Sequence, residues 1–270
     1  MTLQTFDWIY PRFIAHRGGG KLAPENTLAA FRVGASFGYQ MFECDIKLSK
    51  DGVPFVLHDD TLDRTSTGKG VAGDLSWNAL SSFDAGGWYS RVYAGEPLPT
   101  MEAVAQFCIA NNYALNIEIK PTEMLGQTKR AADAMAKRTG QVIAARALEL
   151  WTMDQPLKVT LPKVMSPLLS SFKPASLVGA KAVAPHLPRG LLLDELWDGW
   201  LECAVQLECV IITCNFKLWN AKTIAKVKAK GMRCGSYTVN DALEAKRLFD
   251  LGVDCIYTDR LDLFLSLIHI

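Results

Sequence analysis

Residues 41–45 read MFECD, a short run in which Glu43 and Asp45 stand two positions apart. Strand side chains alternate between faces, so the two acids project together and Cys44 points to the opposite side. Cys44 therefore reads as a small buried hydrophobe rather than a nucleophile. Residues 114–119, ALNIEI, followed by Lys120, repeat the device and put Glu118 and Lys120 on one face. Working outward, comparable runs occur at RFIAH (12–16), PLLSSF (167–172), GLLLDE (190–195), CVIITC (209–214), RCGSYT (233–238) and CIYTD (255–259). Amphipathic stretches such as TLAAFRVGASFG, TMEAVAQFCIANN, TEMLGQTKRAADAMAKRTG and NAKTIAKVKAKG lie between them, with Gly38, Gly140, Gly231 and Gly252 as candidate helix ends. Eight strand–helix units imply an α/β fold, a TIM (β/α)8 barrel. A doubly wound open sheet is the main alternative, because periodicity does not show closure.

One segment breaks the rhythm. Residues 60–98 are rich in Gly, Ser, Thr and aromatics, and read as a small insertion after strand 2 that lies over the C-terminal mouth of the barrel. The stretch from 140 to 166 carries little signal. No repeat or linker marks a second domain, so residues 1–270 read as a single barrel domain.

With about half its residues apolar, the chain can bury a large core. A formal net charge of +1 gives no general attraction to nucleic acid or acidic membrane, so an anion site must be local. The N-terminus lacks the pattern of a secretion signal, and no apolar run is long enough to span a bilayer. Seven cysteines, an odd number without CxxC pairs, favour reduced thiols and a cytoplasmic protein. The expected partner is a small molecule, with no nucleic acid and no stable membrane insertion; homo-oligomerisation is left open.

The chemistry-bearing residues cluster. His16 ends the first strand, Glu43 and Asp45 end the second, and Glu118 and Lys120 end the third. Catalytic groups of such barrels occupy the C-terminal strand ends, so these residues converge on one side of the mouth. Three clustered carboxylates repel one another and call for a cation; an oxygen-only set selects one hard divalent ion, Mg²⁺ or Ca²⁺. His16 and His58 supply general acid and base groups near neutral pH, with His16 read as base and His58 as acid, although the reverse stays open. Arg17 can grip a phosphate with two parallel donors, and Lys120 adds a point charge. GGGK at 18–21 lacks the spacing of a nucleotide-phosphate loop; its glycines free the backbone for close approach to a ligand. Asn26 is a candidate cap for the helix beginning at TLAAF, a candidate ligand-contacting residue, or both. Each residue also has a plainer reading: the acids and Lys120 as structural ion pairs, the histidines as hydrogen-bonded strand ends. His186 and His269 read as bystanders.

The segments HRGGGKLAPENTLAAF, FECDIKLSKDGVPFVLHDDTLDRTSTGKG, LPTMEA and NIEIKP, with SSF, SYTVND and GVDCIYTDRLD further on, resemble the glycerophosphodiester phosphodiesterase family, of the short bacterial cytosolic type. The resemblance runs from residue 12 to about 262 and is weakest in the middle. It implies a TIM barrel with an insertion after strand 2, and hydrolysis of glycerophosphodiesters such as glycerophosphocholine or glycerophosphoethanolamine to sn-glycerol 3-phosphate and an alcohol. It also implies His16 and His58 as the acid/base pair, Glu43, Asp45 and Glu118 as metal ligands, and Arg17 and Lys120 as phosphate contacts. Tyr237 stands where many members carry Trp, and Leu261 where Pro often follows Asp-Arg. Two competing functions keep the same barrel. One is lysophospholipase D-like cleavage of lysophospholipids, for which Trp77, Phe83, Trp88 and Tyr93 would build an apolar groove at the mouth. The other is a non-catalytic phosphodiester-binding protein.

Overall fold

The structure is a computed structural model that describes residues 8–122, 126–153 and 165–265. Its strands are β1 (Phe13–Ala15), β2 (Met41–Leu48), β3 (Pro54–Val56), β4 (Ala114–Ile119), β5 (Leu168–Ser171), β6 (Arg189–Leu193), β7 (Ile211–Asn215), β8 (Arg233–Tyr237) and β9 (Cys255–Thr258). All but β3 run parallel, and β1 pairs with both β2 and β9, which closes an eight-stranded barrel. Closure rules out the open sheet. β3 is the one strand not expected from the sequence. It folds back antiparallel on β2, Lys47 opposite Phe55, and delivers His58 to the rim.

The helices are α1 (Leu28–Ser36), α2 (Trp77–Leu80), α3 (Met101–Ala110), α4 (Lys129–Met153), α5 (Pro174–Val183), α6 (Trp200–Gln206), α7 (Ala221–Lys228) and α8 (Ala242–Leu251). Local chemistry sets their starts: Thr27, Thr100, Asn220 and Asp241 each accept a backbone N–H of the first turn. Thr27, not Asn26, is therefore the cap of α1. Gly252 ends α8 in the left-handed region at φ 100°. Gly140 is different: α4 runs through it for 25 residues. A Cβ at Gly140 would overlap the Ser176 carbonyl of α5, and one at Gly179 the Lys137 carbonyl of α4. The glycines mark a close helix crossing rather than a helix end.

Alternation along β2 sorts the core. Phe42, Cys44 and Ile46 face outward and pack with the helices in the main cluster. Met41 faces inward with Ile14, Ala114, Leu168, Ile211 and Cys255 and fills the bottom of the barrel. Each fully buried side chain of the Phe42 or Ile46 kind contributes roughly 1.5–3 kcal/mol over an exposed one.

The segment after His58 has its own small core, in which Leu62, Ala72, Leu80, Ala85 and Leu98 pack against Phe55 and Leu57. It sits beside the mouth rather than over it. Of residues 60–98, only Asp60 lines either of the two cavities at the rim. Trp77 and Phe83 pack into the small core, while Trp88 and Tyr93 stack edge-on against Tyr89. Among the described residues, none of these four aromatics borders either rim cavity.

Candidate active site

The inward positions of β2 and β4 place Glu43 opposite Asn116 and Asp45 opposite Glu118. Glu43, Asp45 and Glu118 each offer a carboxylate oxygen, and these oxygens lie within 4.8 Å of one another. Glu43 and Asp45 are buried. Burial, then Asp45 and the other acids, pushes the carboxyls of Glu43 and Glu118 up, Glu118 to about 7. Burial would raise Asp45 too, but Lys120 and Arg17 hold it well below the usual carboxylate range. Glu43 Oε1 is buried with no hydrogen-bond partner. An orphaned buried acceptor within an all-oxygen donor set fits a hard divalent cation.

Around the acids stand their supports. Asn26 donates to Asp45 Oδ2 at 2.8 Å, and the backbone N–H of Arg17 donates to Glu43 Oε2 at 2.9 Å. Arg17 and Asn26 both hold positive φ, 51° and 60°, a costly conformation for residues with a Cβ. The intervening glycines do not open the loop toward a ligand. A Cβ at Gly18 would meet the Phe31 ring at 2.7 Å, and one at Gly20 would overlap the Asp259 backbone. They let the loop wedge between α1 and the end of β9.

The cations are already engaged. Lys120 Nζ lies 3.2 Å from Glu118 and 3.6 Å from Asp45. Arg17 donates from NH1 to Glu25 at 2.7 Å, with Nε 3.6 Å from Asp45. His16 Nδ1 lies 2.7 Å from Asp259 Oδ1, and its Nε2 is 3.8 Å from Glu43. His58 Nδ1 lies 2.7 Å from Asp59 Oδ1. Burial lowers the His58 pKa, with Asp45 opposing that shift.

Two cavities meet here. The outer one, about 310 Å³, is bordered by Lys47, His58, Asp60, Lys120, Phe172 and Asp194. The inner one, about 190 Å³, is bordered by His16, Arg17, Glu43, Leu192, Thr213 and Tyr257. His58, Glu118 and Phe172 border both. All seven residues singled out in the sequence thus stand at one rim, while His186 is exposed on the stretch entering β6, at the other end, and His269 lies outside the described residues. Tyr237 borders the inner cavity, its hydroxyl donated to Leu193 O at 3.0 Å. Leu261 is buried and opens the short 3₁₀ turn Leu261–Phe264.

Residues 16–263 match the family model described as the glycerophosphoryl diester phosphodiesterase family. The chain belongs to that family. It is accordingly an enzyme. A glycerophosphodiester phosphodiesterase of Caldanaerobacter subterraneus is 30% identical over 95% of this chain and 97% of its own length. A phosphodiesterase of Oleispira antarctica, solved with its product sn-glycerol-3-phosphate, is 30% identical; the match covers 97% of this chain and 98% of that one, with a TM-score of 0.81. A glycerophosphodiester phosphodiesterase of Agrobacterium tumefaciens is 25% identical, over 95% of this chain and all of the other, with a TM-score of 0.74.

Sequence reading missed the partners that orient the histidines. Asp259 lies at the end of CIYTD, 243 residues from His16, where no local spacing links them. Asp59 and Arg64 were within reach, because HDDTLDR sets an acid and a cation only five residues apart.

Proposed function

We propose that this enzyme hydrolyses glycerophosphodiesters, such as glycerophosphocholine and glycerophosphoethanolamine, to sn-glycerol 3-phosphate and an alcohol. The observation that carries this reading is the junction of two cavities beside a carboxylate triad. A phosphodiester has two halves joined at phosphorus, and the rim offers one space for each. The bound product of the Oleispira antarctica relative supports a glycerol phosphate on one side of that junction.

Glu43, Asp45 and Glu118 would hold the divalent cation, Mg²⁺ or Ca²⁺. When bound it would supply Lewis-acid charge neutralisation at the phosphoryl oxygens. Arg17 and Lys120, already poised over the acids, hold the remaining phosphate charge. His16 borders the inner cavity and takes the proton from the attacking group. His58 borders both cavities and gives a proton to the departing alkoxide. Asp259 and Asp59 fix the two ring orientations through Nδ1. Removing Lys120's charge partners would leave a partly desolvated cation unpaired, so its pairing with the acids serves folding as well as substrate.

We read residues 1–270 as one barrel domain with residues 60–98 inserted. The seven cysteines are free thiols, six of them buried, which supports a reducing compartment, the cytosol. Among the described residues no helix is long and apolar enough to cross a membrane. The test is a turnover screen of the purified chain over glycerophosphodiesters, with coupled detection of sn-glycerol 3-phosphate. Release from the headgroup diesters supports the reading; no release from any of them refutes it.

A further inference from the structure

The segment SYTVND, which runs from β8 into α8, carries a side chain that the acid–base chemistry has not used. Asn240 reaches across to the end of β9 and makes three hydrogen bonds with Thr258 and Asp259. Its Oδ1 accepts from the backbone N–H of Asp259 at 2.8 Å and from the Thr258 hydroxyl at 3.2 Å. Both partners donate, so this end of the amide must be the oxygen. Nδ2 is thereby aimed at Asp259 Oδ2, to which it donates at 2.9 Å. The other oxygen of that carboxylate, Oδ1, faces His16 Nδ1 at 2.7 Å. One amide thus occupies the oxygen of Asp259 that the histidine leaves free.

The clamp is itself held from both sides. Val239, just before it, donates its backbone N–H to Tyr257 O at 2.8 Å. Asp241, just after it, caps α8 by accepting the Glu244 N–H at 2.9 Å. The loop after β1 closes the circuit: Lys21 N–H donates to Asp259 O at 2.8 Å, and Gly20 N–H to His16 O at 2.9 Å. The side chain needs this restraint, because the Asp259 carboxylate is 20% exposed and water competes for its outer oxygen. Held in this way, the carboxylate accepts from Nδ1–H and leaves the Nε2 lone pair of His16 free for proton transfer.

We propose that Asn240 is a positioning residue for His16: acting through Asp259, it fixes the tautomer and the ring direction that proton transfer requires. This deepens the phosphodiesterase reading and rests on it. Asn240 borders neither rim cavity, so its loss should be felt in turnover and not in binding. A misaligned proton-transfer ring weakens the transition state alone, so kcat falls while KM holds.

The experiment is a double-mutant cycle of Asn240→Asp and Asp259→Ala on glycerophosphocholine, with the cation supplied, at a temperature where circular dichroism shows every variant folded. Asn240→Asp keeps the acceptor for Asp259 N–H and Thr258 and replaces the one donor by a carboxylate oxygen. At pH ~8 the introduced and the native carboxyl are both ionised and repel each other. The variant should lose about 10- to 100-fold in kcat, with KM changed by less than about threefold. Asp259→Ala alone should lose about 10²-fold or more in kcat. In that background Asn240→Asp should cost less than about threefold further, because the path from Asn240 to His16 is already cut. Asn240→Ala removes the clamp without adding charge and should show the same split and the same coupling. Wild-type kcat in either Asn240 variant, a loss carried by KM, or a full further loss in the Asp259→Ala background would overturn the inference alone. So would failure of both Asn240 variants to fold, which would assign the side chain to the fold. No turnover of any glycerophosphodiester by wild type would overturn the phosphodiesterase reading as well.

Discussion

Arg64 and Glu25 are joined by two parallel hydrogen bonds, NH1 to Oε2 and NH2 to Oε1, each 2.8 Å long. The same guanidinium grips Asp59, with Nε 2.7 Å from Oδ2, and holds the Asp59 carboxyl far below its ordinary range. Asp59 in turn orients His58, and Glu25 holds Arg17. One exposed arginine therefore ties His58, the ring proposed to transfer a proton, to Arg17, the side chain proposed to grip phosphate.

Arg64→Met should lower kcat by about 10- to 100-fold, because a small loss of alignment is costly in a preorganised site. Arg64 is 44% exposed, so the melting temperature should change little. Arg64→Lys should rescue only in part, since lysine lacks the fork. Steady-state kinetics with a melting curve checks this; a variant with wild-type kcat would free the pair from any positioning role.

Burial would raise the Asp259 carboxyl, but His16 and Asn240 draw it down to about 2. Its folded pKa thus lies below the unfolded value of ~3.9. A depressed carboxylate contributes stability that is complete above the unfolded pKa and is lost as pH falls through the folded one. The difference corresponds to roughly 2.5 kcal/mol. Asp259→Asn should be less stable than wild type at pH ~6, with the gap shrinking between about pH 4 and 2. Urea midpoints across that range measure it. A gap that stays constant into acid would show that the His16–Asp259 contact adds no charge-linked stability.

Gly140→Ala should destabilise the fold, even though alanine is the better helix former by about 1 kcal/mol. The added methyl would overlap the Ser176 carbonyl, and overpacking of this kind costs roughly 1–3 kcal/mol or more. Thermal melts decide between the effects: a lower melting point is expected, and a higher one would mean that α4 and α5 cross less closely.

Mg²⁺ or Ca²⁺ added to the chelated chain should raise its melting temperature, because a ligand that binds only the folded state stabilises it. Glu43→Gln should abolish that rise. If the rise survives in the variant, the cation is bound elsewhere.

The barrel was legible because each parallel strand is a short apolar run bounded by turn or helix signals. The acids were legible because spacing of two puts side chains on one face. What escaped notice involved distance or packing. Asp259 meets His16 only when β9 closes against β1. Gly140 looks like a helix end in sequence and is a helix contact in space. The short Pro54–Val56 strand is too brief to announce itself, and the insertion's aromatics face its own core and surface rather than the mouth. Asn26 reads as a cap by type, but Thr27 caps and Asn26 supports Asp45.

On the proposed reading, a carboxylate-held cation and two histidines cleave glycerophosphodiesters at one rim. The decisive measurement is sn-glycerol 3-phosphate release from glycerophosphocholine by wild type, His16→Ala and His58→Ala, each stripped with chelator and then replenished with Mg²⁺ or Ca²⁺. Release should appear only after replenishment, and each histidine variant should be slower by about 10²- to 10⁴-fold with its fold intact. Undiminished release from the stripped wild type, or wild-type rates in either variant, would contradict it.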